Sequence, residues 1–64
     1  MMKTPEILRA FVEASLQQAS EVRESLCVAH AFNALGLDDR EFTGMIEQID
    51  DHIFYCEEKL EALR

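Results

Sequence analysis

Structure-breaking residues are nearly absent from this sequence. One proline and two glycines in 64 residues leave few places for loops, so long helices joined by a single bend are expected. Cysteine is scarce too: Cys27 and Cys56 cannot build a disulfide lattice, and two free thiols fit a reducing, cytoplasmic setting. No apolar run approaches the roughly 18–20 residues needed to cross a bilayer. Arg9 and Glu13 interrupt the one early apolar stretch that a secretory signal would use. Six basic residues against thirteen acids give a formal charge of −7, which opposes binding to nucleic acid or anionic lipid. Catalytic signals are missing as well. Ser15, Ser20 and Ser25 have no glycine-framed elbow, and the carboxylates fall on an outward helix face without the burial that tunes a general acid or base. A chain this short has little room for a substrate pocket. The reading is non-enzymatic, with no cofactor.

What is present is 48% hydrophobic, enough for one folded domain over residues 1–64. The stretch from Ala34 to Phe42 organises it. Gly36 sits where a helix C-terminus wants a left-handed residue, with Phe32 at C3 and Leu37 placed to close an apolar contact onto it. Asp38 reads as the next N-cap, Glu41 completes a capping box, and Leu37 with Phe42 forms a hydrophobic staple. Upstream, Thr4-Pro5-Glu6 is a helix start, with threonine as N-cap and proline at N1. The expected fold is all-α: an antiparallel helical hairpin with helix one at about 5–35, a turn at 36–38 and helix two at about 39–63. Helix one should run unbroken through Ser20, because Arg23 rather than an acid or amide stands three residues on.

Helix two carries the cleaner apolar seam. Phe42, Ile46, Ile49, Ile53, Cys56, Leu60 and Leu63 repeat 4-3-4-3-4-3, the spacing of bundle packing. On helix one the matching seam is Leu8, Val12, Ser15, Ala19, Val22, Leu26 and Ala29, with small residues at its middle. A second stripe, Val28, Ala31, Phe32 and Leu35, opens beside it near the bend. One hairpin has a single helix–helix interface and leaves that stripe uncovered. Two hairpins packing as a homodimeric four-helix bundle would cover it, placing Val22, Leu26, Phe32, Leu35, Phe42, Ile46, Ile49, Ile53 and Leu60 in the core or dimer interface. A heteromeric partner filling the same groove is the alternative.

Cys27-x2-His30 and His52-x3-Cys56 hold four metal-capable ligands at helical spacings. In an antiparallel hairpin turning near residue 37, these pairs are offset by roughly 7–13 Å along the axis, at about 1.5 Å rise per residue. One chain cannot converge them on a metal, and the same offset excludes a Cys27–Cys56 disulfide.

The acids concentrate in the second half: residues 1–37 carry a net −1 and residues 38–64 a net −6. Within that half, Phe54 and Tyr55 stand off the seam among Asp50, Asp51 and Glu58, a pattern suited to a basic, apolar protein partner. Ile7, Leu8 and Phe11, which overhang the end of helix two, form a second candidate surface. The expected function is therefore a small acidic adaptor, inhibitor or chaperone-like regulator that binds another protein.

Leu35-Gly36-Leu37-Asp38 echoes the segment around the modified serine of acyl carrier proteins, but Asp39 stands where that serine would follow. In length and hairpin layout the chain resembles the Rop family of plasmid RNA-binding regulators. That resemblance implies an alternative in which Arg9, Gln17, Gln18 and Arg23 on helix one contact phosphates, against the electrostatic handicap of a −7 chain. The layout is also similar to the small helical co-chaperones of type III secretion needle subunits.

Overall fold

A computed structural model describes residues 4–63, and these form two helices and no strand. Helix α1 spans Thr4–Ala31 and α2 spans Asp39–Ala62, packed against each other as a hairpin. The molecule measures 46 × 18 × 11 Å, a single layer of two long helices. Among the described residues no helix is long and apolar enough to cross a membrane. Helix α1 is continuous through Ser20, as its sequence suggested.

The bend differs from the expected one at its first half. Helix α1 stops at Ala31, four residues before the expected end at 35. The cause is Asn33, whose φ of 55° is left-handed. Asparagine tolerates this region better than other residues with a Cβ. The Asn33 amide donates to the His30 carbonyl at 2.9 Å and the Ala34 amide donates to the Ala29 carbonyl at 2.9 Å. These two bonds make a Schellman cap with Asn33 at C′ and Ala29 at C3. Gly36 therefore caps nothing, and Phe32 is not the C3 residue against which Leu37 would close. Gly36 still uses its freedom, at φ 65°, to turn the segment that leads into α2.

The second half of the bend forms as expected. Asp38 is the N-cap, in extended geometry at φ −81° and ψ 169°. The Glu41 amide donates to Asp38 Oδ1 at 2.7 Å, and the Asp38 amide donates to Glu41 Oε1 at 3.5 Å. Two amides without helical partners are thereby satisfied, and both carboxylates stand at the positive end of the helix dipole.

Along α2 every seam position is partly or fully buried: Phe42, Ile46, Ile49, Ile53, Cys56, Leu60 and Leu63. Along α1 the expected line is kept in part and widened to one side. Val12 and Leu26 are buried and Ser15, Ala19 and Ala29 partly so, while Leu16, Arg23 and His30 beside them are also partly buried. Val22, expected in the seam, is 50% exposed. Arg23 takes its place. Its Nε donates to Asp50 Oδ1 at 2.6 Å and its second guanidinium nitrogen donates to Oδ2 at 3.5 Å. A long side chain can lay its methylenes over the seam while its charged head reaches the edge. Nearer the bend, His30 stacks on Phe42 with ring centroids 4.0 Å apart, and its Nε2 lies 3.2 Å from Asp39 Oδ1. These pairs mark the register, with Arg23 across from Asp50 and His30 across from Phe42.

Gly44 lies inside α2, and a Cβ built there meets nothing within 4 Å. Gly44→Ala should therefore stabilise the fold by about 1 kcal/mol, because alanine loses less backbone entropy in a helix. Thermal unfolding followed by circular dichroism should show Tm rising by roughly 4–8 °C. At the other special position, Asn33→Gly should be tolerated, while Asn33→Ala should cost about 1 kcal/mol through the left-handed backbone. Equal urea midpoints for those two variants would contradict the assigned cap.

Candidate interaction surface

Very little of the hairpin is interior. Among the described residues the buried hydrophobic side chains are Val12, Leu26 and Cys56, whereas ten large hydrophobic ones stand exposed. Most of them fall on two faces, because successive helical residues turn by about 100°; Val28, two residues past the buried Leu26, points outward on neither.

One face is a shallow apolar groove running beside the helix–helix seam. Its middle is lined by Ser15, Gln18, Ala19 and Val22 from α1 and by Gln48, Ile49 and His52 from α2. It continues toward the bend over Ser25, Leu26 and Ala29 to Leu35, with Glu21 at its rim. Glu21 is the one carboxylate among these lining residues, and its Oε1 accepts a bond from the Gln17 amide at 3.3 Å. Ile7, Leu8 and Phe11 extend the same side of α1 toward its start, and Phe11 is 68% exposed. They do not form a closed cap on the end of the hairpin. Beneath that end lies a separate depression lined by Pro5, Glu6, Arg9 and Leu63.

The opposite face is acidic. Asp50, Glu57 and Glu61 follow one side of α2, and Phe54 stands among them at 62% exposure. Asp50 is held by Arg23, whose own pKa is pushed further above its ordinary high value by the hydrogen bond and charge of that carboxylate. Both partners are largely in water, so the contact orients Asp50 more than it stabilises the fold.

Phe54 and Tyr55 thus part company. Taken together in the sequence as one aromatic spot, they point about 100° apart. Tyr55, 59% exposed, follows His52 and Gln48 onto the groove side, while Phe54 belongs to the acidic side. Asp51 and Glu58 occupy the outer edge of α2 between the two. Phe32 and Leu35 lie in or beside the bend, both exposed, and so remain available rather than packed.

The residues of the RNA alternative are engaged otherwise. Arg9 Nε is 4.0 Å from Glu13 Oε1, Arg23 pairs with Asp50, Gln17 bonds Glu21, and Gln18 lines the groove. Neither guanidinium presents a purely basic surface to a phosphate.

The groove itself was readable in the sequence as a second heptad line on α1: Phe11, Ser15, Gln18, Val22, Ser25 and Ala29, spaced 4-3-4-3-4 and uncharged. Its small polar members disguise it, since serine and glutamine do not register as an apolar stripe.

Comparison with protein-family models, curated proteins and solved structures finds no match for this chain.

The thiols stay apart. Cys56 Sγ lies 3.7 Å from His52 Nε2 on the same helix, and Cys27 Sγ lies 3.9 Å from an Arg23 nitrogen, a cation unsuited to sharing a metal ligand. No group of three or more His, Cys, Asp or Glu side chains among the described residues is placed to hold an ion. A chelator such as EDTA should accordingly leave the helical circular-dichroism signal and Tm unchanged. Stoichiometric zinc that is lost with Cys56→Ser would show the hairpin register to be wrong.

Proposed function

We propose that this chain is a non-catalytic, acidic protein-interaction module: an adaptor, inhibitor or chaperone-like regulator that works as a homodimeric four-helix bundle and binds a basic, apolar segment of another protein. The carrying observation is that, among the described residues, ten large hydrophobic side chains are exposed while only Val12, Leu26 and Cys56 are buried and the rest of the α2 seam is half-buried. A surface so apolar is retained in a small domain when association covers it. The acidic face supplies a place for the second partner. Phe54 offers an aromatic anchor, and Glu57 beside it, with Asp51 and Glu58 on the outer edge of α2, supplies negative charge that steers a basic chain, Asp50 being already paired with Arg23. The free thiols Cys27 and Cys56 suit a reducing cytoplasm.

The test is a partner recovered by affinity capture with the tagged chain, then titrated against wild type and Phe54→Ala. The variant should keep its helical signal and melting temperature, because Phe54 lies outside the seam, and should bind about 30-fold more weakly, or ~2 kcal/mol. Added salt should weaken wild-type binding further. Early melting of Phe54→Ala would make this ring structural and remove the surface. A salt-dependent gel shift with RNA, in place of protein capture, would favour a nucleic-acid regulator instead.

A further inference from the structure

We infer that the uncharged groove face is where a second copy of this chain docks, with α1 lying antiparallel on α1 of the partner and the twofold axis passing at the level of residue 20. The inference rests on the dimeric reading above and specifies which face closes and in what register. Three observations select a second copy as the occupant.

The first is area. The hairpin exposes 5179 Å², whereas a folded monomer of its mass exposes about 4,200 Å². The excess, about 1,000 Å², is close to the roughly 800 Å² that each partner contributes to a standard stable interface.

The second is charge. Two copies of a −7 chain repel each other wherever carboxylates meet. On α1 the line from Phe11 to Ala29 carries none, and Glu21 stands at the rim. The acidic side of α2, with Phe54, faces away and stays open to other partners.

The third is self-complementarity. The 4-3-4-3-4 line of α1 reads symmetrically about residue 20, so an antiparallel copy sets Phe11 against Ala29, Ser15 against Ser25 and Gln18 against Val22. A large side chain meets a small one at each end of the line, and small residues at the middle let the helices approach closely. The groove side of α2 follows the same symmetry, with Gln48 opposite the Tyr55 of the other copy.

Sedimentation equilibrium at micromolar concentration should give about 15 kDa, twice the 7.4 kDa chain. Val22→Glu introduces a carboxylate on each side of the twofold and should raise the dimer dissociation constant at least about 100-fold. Adding Gln18→Lys to that variant places a lysine opposite each new glutamate and should restore the dimer. Phe54→Glu, on the other face, should dimerise as wild type. If Val22→Glu unfolds instead of giving a folded monomer, the rescue decides: recovery of helix and dimer by Gln18→Lys supports the register, and no recovery overturns it. A wild-type chain that stays at 7.4 kDa into the hundreds of micromolar overturns the proposal, as does a dimer broken by Phe54→Glu and untouched by Val22→Glu. A monomer that still binds its captured partner through Phe54 would remove the dimer and leave the acidic binding surface intact.

Discussion

Two helices joined by one bend share a single contact line, and everything else about this protein follows from how little that line can bury. On α2 the line is well supplied: the seam from Phe42 to Leu63 keeps its 3.5-residue spacing without interruption and turns every member inward. On α1 the opposing line is supplied unevenly. Val12 and Leu26 are buried, but Arg23 and His30 occupy seam positions between and beyond them. Their polar heads reach Asp50 and Asp39 at the edge, and His30 adds a stacked contact on Phe42. The interface is thus part apolar and part polar, its directional contacts lying at the solvent-exposed edge.

Spending seam positions on Arg23 and His30 turns Val22 outward, and this is how the fold comes to have a groove. Val22 joins Phe11, Ser15, Gln18 and Ala29 on one uncharged side, while Asp50, Glu57 and Glu61 of α2 line the other. A charge-segregated hairpin of this kind can meet a like-charged copy on one face and an oppositely charged partner on the other, without the two contacts competing for surface. The proposed function uses both faces and asks for no chemistry from either.

The bend shows how local codes compete. Two residues within four positions were capable of a left-handed conformation, Asn33 and Gly36, and both adopt it. Glycine is the better left-handed residue in isolation. Asn33 comes first along the chain, however, and once the Ala34 amide has bonded to Ala29 the helix is closed and Gly36 is left to shape the exit. The N-cap of α2 offered no such choice, because Asp38 and Glu41 have the one spacing that satisfies both amides, and that cap appears as its sequence spells it.

What the sequence by itself determined is two helices, the Asp38–Glu41 cap of α2, the 3.5-residue line of α2 and the continuity of α1, each set by neighbours within about four residues. The C-cap of α1 fell to Asn33 rather than Gly36. The antiparallel pairing follows from the shortness of the bend. The rotation of α1 about its own axis was decided only in the tertiary structure. The lines through Val22 and through Arg23 lie side by side, and both place Val12 and Leu26 toward the partner helix, so periodicity does not choose between them. In the structure Arg23 faces α2 and its guanidinium meets the carboxylate of Asp50, 27 residues away in the chain, a contact that the spacing along α1 does not contain. For the same reason Phe54 and Tyr55, adjacent in sequence, ended on different faces: helical geometry separates them by about 100°, and which face each joins depends on where the other helix lies.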